Sequence, residues 1–180
     1  LGRAKQLLEL AGEPLVAIAA DAAVALCGAG VRVVLGARAG EIAARLAGKR
    51  LALVENPRWE EGMGTSLAAG VAALPACDGV LLLLSDQPLV PLRALGEMVE
   101  RWRADRERVV AAEYGGALGV PAIVPRRLFA ALAAVRGDRG ARGVIAGEGE
   151  RVVRVALPEA LFDVDDEASA AELARLSRPD

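Results

Sequence analysis

Histidine is absent from this 180-residue sequence, aromatic residues make up only 3% of it, and cysteine occurs twice. With no imidazole, Ser-His-Asp and Cys-His nucleophile systems and histidine-ligated metal sites are excluded. The scarcity of aromatics argues against a stacking platform for single-stranded nucleic acid. A basic excess is missing as well: 22 Lys and Arg face 24 Asp and Glu, a net charge of -2. Sequence-independent binding of nucleic acid needs the opposite balance, so no nucleic-acid partner is expected. Cys27 and Cys77 stand outside any Cys-x-x-Cys spacing. They read as small apolar core thiols, which fits a reducing cytoplasm. Long hydrophobic runs are lacking too. The longest apolar stretch, 15–29, contains Asp21 and falls short of the roughly 20 residues a spanning helix needs. No basic stretch precedes an apolar core at the start, so neither a secretion signal nor a membrane partner is expected.

What is present is a 54% hydrophobic composition, mostly Ala, Leu and Val, with 20 dispersed glycines. Short apolar runs over 31–36, 51–55, 79–84, 109–113 and 151–155 predict strands. Segments of helical period lie between them, over 14–27, 41–47, 66–74, 92–104, 126–135 and 167–176. Pro14 suits a first helical turn and Gly28 a stop. Leu81 to Leu84 is apolar on both faces, as expected of a central parallel strand. Alternating strands and helices predict a doubly wound α/β sheet, with functional loops at the carboxyl ends of the strands.

Those loops hold the candidate chemistry. The segment from Asn56 to Ser66 is long and glycine-punctuated, with Thr65 or Ser66 as a plausible N-cap. Its Gly62 and Gly64 either let backbone amides approach a polar ligand closely or simply build a capped turn. Ser85-Asp86-Gln87-Pro88 follows the most apolar strand. A carboxylate there suits a hard cation such as Mg²⁺, which takes one or two carboxylates plus substrate phosphates; as a bare pattern, Asp86 equally starts a turn. The acidic run Asp163 to Glu167 opens the last helix, where helix electrostatics alone favours acids. Asp165 makes a metal site only if it converges on Asp86. Lys5 reads as a phosphate ligand or as an exposed terminal base. The turn from Gly137 to Arg142 carries two forked donors suited to anions, or a solvated salt bridge. No base accompanies Ser66 or Ser85, so neither is a nucleophile. Trp59, Trp102, Phe129 and Phe162 read as packing residues.

Taken in order, several of these segments resemble the molybdenum cofactor cytidylyltransferases, within the wider MobA-like nucleotidyltransferases. The matching pieces are Leu1-Gly2-Arg3-Ala4-Lys5, Gly12-Glu13-Pro14-Leu15, Val33-Val34-Leu35-Gly36 and Asn56-Pro57. They continue with Glu61-Gly62-Met63-Gly64-Thr65-Ser66, Leu84-Ser85-Asp86-Gln87-Pro88, Gly119-Val120-Pro121, Gly137 to Arg142, and Asp163-Val164-Asp165. The resemblance implies a Rossmann-like, nucleotide-diphospho-sugar transferase-like fold with a mostly parallel sheet, forming one nucleotidyltransferase domain over 1–180. It implies Mg²⁺-dependent transfer of CMP from CTP to the phosphate of molybdopterin, with release of pyrophosphate and a molybdenum hydroxylase as recipient of the cofactor. By motif position it puts Lys5 on the triphosphate and Asp86 on Mg²⁺, with Asp165 as the second metal-side carboxylate. Asn56, Gly62, Gly64, Thr65 and Ser66 would surround base and ribose, and Asp138, Arg139 and Arg142 would lie toward the acceptor. Two readings stand beside it: a guanylyl- or other nucleotidyltransferase with a different small phosphorylated acceptor, and a catalytically silent cofactor-binding module. The sequence departs from the family pattern in three places. It begins inside the Leu-Gly-x-x-Lys element, so the family's preceding strand and glycine-rich loop are expected to be missing. Val120 stands where many relatives have histidine, and Asp165-Asp166-Glu167-Ala168 replaces Asp-Thr-Pro-Glu.

Overall fold

A computed structural model describes residues 4–176; Leu1, Gly2 and Arg3 of the first motif lie outside the described residues. A 3₁₀ turn at Lys5–Leu7 leads into a two-residue-strand hairpin, β1 (Glu9–Leu10) and β2 (Glu13–Pro14). Both turn residues, Ala11 and Gly12, have positive φ, the geometry that matches a tight hairpin to strand twist. Pro14 caps α1 (Leu15–Cys27) from outside rather than sitting in its first turn, and Gly28 stops the helix with φ 57°. Next come β3 (Arg32–Leu35), α2 (Ala39–Arg45) and β4 (Ala52–Glu55), a strand–helix–strand unit with β3 and β4 parallel. The chain continues through α3 (Met63–Ala72), β5 (Gly79–Leu82), α4 (Leu92–Ala104), β6 (Val109–Tyr114) and β7 (Ala117–Pro125). It ends with α5 (Phe129–Ala133), α6 (Arg142–Gly147), β8 (Val152–Ala156) and α7 (Glu167–Leu176).

The α/β architecture with helices on both faces is as the sequence predicts, but the larger sheet is mixed. Its order is β5-β7-β6-β8, with β7 antiparallel to both β5 and β6, and β8 parallel to β6. β5 is therefore not a parallel strand on its β7 side. The sequence hid β7 because Gly119, Pro121 and Pro125 punctuate it like a loop. The register explains how a proline fits a central strand: Ala111 pairs with Ala122 but Ala112 with Gly119, so Pro121 falls in the irregularity, where no ladder hydrogen bond is asked of it. The short α6, with Gly143 and Gly147 among its six residues, also escapes helical periodicity.

Each face of this sheet has its own core. Val110 and Ala112 of β6, both fully buried, meet Leu95 and Met98 of α4 on one side. Val109 and Ala111 alternate to the other side, against Leu132 of α5 and Ile145 of α6. At about 1.5–3 kcal/mol for each large apolar side chain buried, these layers fix the sheet that carries the loops. α1 and α3 pack against both the β3-β4 sheet and the larger one. Val16 and Ala20 of α1 pack with Leu35 of β3, and Ala22 and Leu26 join the α4 cluster. In α3, Gly70 lies against Val34, and Leu67 and Val71 join the α5–α6 cluster. A fourth cluster, Leu8, Leu15, Val164 and Leu173, ties the first described residues to the last helix. Among the described residues no helix is long and apolar enough to cross a membrane. Cys27 is exposed and Cys77 half-buried, both free thiols. Neither is the core residue the sequence suggested, because Cys27 ends α1 and Cys77 lies in the loop before β5.

Candidate active site

Three charged residues distant in sequence meet at one point. Asp86 lies just past β5, where the strand delivers it to the carboxyl-end crevice. Its backbone carbonyl accepts a hydrogen bond from Val164 N at 2.9 Å, which presses the segment before α7 against this loop. Val164 is fully buried, in the cluster that also holds Leu8. Apolar seats at 8 and 164 thus bring their polar neighbours together. Lys5 Nζ donates to Asp86 Oδ2 at 2.6 Å and to Asp165 Oδ1 at 2.5 Å. Asp86 is sheltered, with its side chain 15% exposed, whereas Asp165 is 62% exposed. Lys5 is half-buried rather than a free terminal base. Burial works against its charge, but the hydrogen bonds to Asp165 and Asp86 outweigh that and raise its pKa. Burial, followed by the nearby charge of Asp165, pushes the Asp163 carboxyl up. The convergence of Asp165 on Asp86, which spacing could not establish, is present.

The residues fit a hard divalent cation. Among the described residues Asp86 Oδ1 is buried without a hydrogen-bond partner, and its other oxygen and Oδ1 of Asp165 already share one cationic neighbour. No group of three or more His, Cys, Asp or Glu among the described residues could hold a metal. A cation here would take two carboxylates from the chain and its remaining ligands from water or phosphate, as Mg²⁺ commonly does.

A second group forms after β4. Asn56, 5% exposed, donates from Nδ2 to Thr65 Oγ1 at 2.9 Å and to Ser66 Oγ at 3.0 Å. Its Oδ1 accepts from Arg58 N. Thr65 Oγ1 donates toward the carbonyls of Arg58 and Gly62. Neither Thr65 nor Ser66 is the N-cap: α3 starts earlier, after Gly62, with no side-chain cap. Gly62 has φ 102°, and a Cβ there would lie 2.4 Å from the Gly137 carbonyl carbon; one on Gly64 would meet the backbone of Val135 and Arg136 at 2.8 Å. The amide of Gly64 donates to Gly137 O at 2.8 Å. These glycines let two loops touch. The same contact docks the Gly137–Arg142 turn on the start of α3, leaving Asp138, Arg139 and Arg142 exposed, their side chains without an ion pair or hydrogen bond among the described residues. A cavity of about 220 Å³ opens beside this group, lined by Asn56, Arg58, Thr65 and Arg136 over an alanine floor from α3 and α5.

The amino-acid sequence matches the MobA-like NTP transferase domain over residues 1–155. The chain belongs to this family. It is 34% identical over 151 residues, 79% of this chain and 73% of the relative, to nicotine blue oxidoreductase of Paenarthrobacter nicotinovorans. Its fold is similar to that of Rv0371c from Mycobacterium tuberculosis H37Rv in complex with manganese, with a TM-score of 0.77 and 25% identity over 97% of this chain and 93% of the other. A nucleotidyl transferase from Methanothermobacter thermautotroptrophicus is similar at a TM-score of 0.75 and 25% identity, covering 95% and 85%. As a MobA-like NTP transferase the chain is a nucleotidyltransferase with a nucleoside triphosphate as substrate, and the nucleotide-diphospho-sugar transferase-like fold expected for it is the one observed.

In this MobA-like domain, one residue the sequence reading passed over stands out. Gln87 is 7% exposed and donates to Ala160 O at 2.8 Å and to Tyr114 Oη at 3.3 Å, while Tyr114 donates on to Val120 O. It braces the Asp86 loop against the segment leading to Asp165. Only its place beside Asp86 could have signalled this, since its partners are 73 and 27 residues away. Arg58 and Arg136 were likewise passed over; the pattern gave no reason to join positions so far apart.

Proposed function

We propose that this nucleotidyltransferase moves CMP from CTP to the terminal phosphate of molybdopterin. The observation that carries the reading is the meeting of Lys5, Asp86 and Asp165 at the carboxyl end of the sheet. In the reaction, an oxygen of the acceptor phosphate bonds to the α-phosphorus of CTP as the bond to the β-phosphate oxygen breaks, and pyrophosphate leaves. Catalysis of this kind is positioning plus charge stabilisation and needs no histidine. Asp86 and Asp165 hold Mg²⁺, which when bound offsets charge on the phosphates. Lys5 holds the triphosphate by its ammonium. Asn56, Gly62, Gly64, Thr65 and Ser66 shape the wall against base and ribose; their side chains are spent on one another, so the contribution is the contour of the loop. Asp138, Arg139 and Arg142 face the acceptor, the two arginines with guanidinium donors suited to a phosphate and Asp138 with a carboxylate that can accept from a polar heterocycle. A molybdenum hydroxylase receives the product.

The test is pyrophosphate release from a panel of nucleoside triphosphates with Mg²⁺ and molybdopterin. Release with CTP, one pyrophosphate per CMP transferred, is expected, together with a raised melting midpoint for CTP alone among the panel. Release with GTP, or only with another phosphorylated acceptor, moves the reading within the class. Binding without any release selects the silent cofactor-binding module. The name of the 34% identical relative raises a redox reading; reduction of a dye with no pyrophosphate formed would select that one.

A further inference from the structure

The Lys5 ammonium stands at the one point that Asp86 Oδ2 and Asp165 Oδ1 share, 2.6 Å from the first and 2.5 Å from the second. Two carboxylates and one ammonium leave the cluster with a net negative charge, and Asp86 Oδ1 keeps a buried lone pair without a partner. A divalent cation bridging the same two oxygens takes the position Nζ holds. Two cations cannot share it, since repulsion at that range in a partly buried site is large. Lys5 must therefore leave, and it needs another anion to leave for. Its side chain is a compact charge on a long rotatable stem. A triphosphate bound at the same crevice supplies such an anion.

We propose that Lys5 is the exchangeable counter-ion of this pair: it occupies the metal position in the free protein and yields it to a divalent cation only when a nucleoside triphosphate takes up its charge. The proposal rests on the reading that Asp86 and Asp165 hold the metal. It makes metal and nucleotide bind as a coupled pair, each raising the affinity of the other by the same factor. It also keeps free cations off the carboxylates, so that the crevice fills in one step with the metal–nucleotide complex.

Electron paramagnetic resonance titration with Mn²⁺ alone tests this without any turnover. Lys5→Met and Lys5→Gln, each checked for a cooperative melt, should bind free Mn²⁺ at least tenfold more tightly than the parent, and adding Asp86→Asn should remove that binding. Equal or weaker binding in both Lys5 variants overturns the counter-ion proposal while leaving the metal pair standing. No Asp86-dependent Mn²⁺ binding in any form, with or without CTP, overturns both. The parent protein gives an independent readout, because Lys5 and Lys49 are the two lysines of the sequence. Labelled with ¹³C at Cε, they give two lysine signals, assigned through Lys49→Arg. Mg²⁺ with CTP should move the Lys5 signal far more than Mg²⁺ alone at the same concentration, while Lys49, paired with Asp21 on the surface, stays put. A Lys5 signal that moves fully with Mg²⁺ alone, or not at all when Mg²⁺ and CTP are bound, also overturns the proposal.

Discussion

The loop after β5 and the loop after β4 each follow the carboxyl end of a strand and are held in different ways. The first gathers Lys5, Asp86 and Asp165 into a charge cluster whose members come from the start, the middle and the end of the chain. It is incompletely satisfied, with one Asp86 oxygen buried and unpartnered among the described residues. The second is local and closed: Asn56, Thr65 and Ser66 bond to one another, and Gly62 and Gly64 pack onto the 135–137 backbone. A buried polar atom without a partner costs roughly 1–3 kcal/mol, a cost a ligand can relieve, whereas a closed network gains nothing more from one. On the proposed function, the contrast separates a place where chemistry is done from a place where shape is made. Substitutions in the two loops should therefore fail differently.

The largest effect belongs to the charge cluster. Asp86→Asn keeps the side chain's shape and, on the proposed function, removes half of the carboxylate charge that would hold the metal. A bound metal supplies several kcal/mol of transition-state stabilisation, so turnover should fall by about a thousandfold or more, with the cooperative melt retained. Metal-dependent pyrophosphate release and a thermal melt of the same sample check this. Normal turnover in the variant would place the chemistry elsewhere and remove the contrast.

Gly62→Ala is the matching break in the shape-making loop, and its damage should appear as instability. Alanine at φ 102° is strained, and its Cβ would press to 2.4 Å on the Gly137 carbonyl carbon. Strain and overlap together should cost about 3 kcal/mol, read as a lower denaturant midpoint with an unchanged slope. Asn56→Ala should do less, about 1–3 kcal/mol, by leaving Thr65 and Ser66 hydroxyls short of a partner in a buried place. If either variant keeps its stability and loses nucleotide affinity instead, the loop is a direct ligand site rather than a wall.

Much of this was legible from the residues, and the illegible part has a physical pattern. β3, β4, β5, β6 and β8 declared themselves as apolar runs, and α1, α4 and α7 by period and punctuation, because one buried stripe or face suffices to mark them. β7 did not, since the proline that argues against a central strand sits in a register irregularity visible only once its neighbours are paired. Asp86 and Asp165 were named from their local settings, yet their meeting depends on Leu8 and Val164 sharing a cluster, a long-range event no local pattern encodes. For the glycines of the 62–64 segment the pattern left a ligand and a plain turn equally open; what lies against them is the chain's own backbone at 135–137, a distant partner that local spacing does not name.

The smallest effect expected in the same loop sharpens the comparison most finely. Arg58 donates from Nε and Nη2 to the two carboxylate oxygens of Glu61 at 2.7 and 2.6 Å. That hydrogen bond holds the Glu61 carboxyl below its usual range. For an acid lowered in this way, stabilisation is present above the ordinary value of 4.5 and is lost as pH falls through the lowered one. Both side chains are mostly exposed, 63% and 54%, so solvent and salt screen the pair heavily. Glu61→Gln should therefore melt almost with the parent at neutral pH, with what difference there is closing below pH 4.5 and in high salt. Melts across pH and salt measure this directly. A loss at neutral pH rivalling that of Gly62→Ala would mean that charge, not close packing, holds the loop after β4, and the two loops would then be variations on one principle.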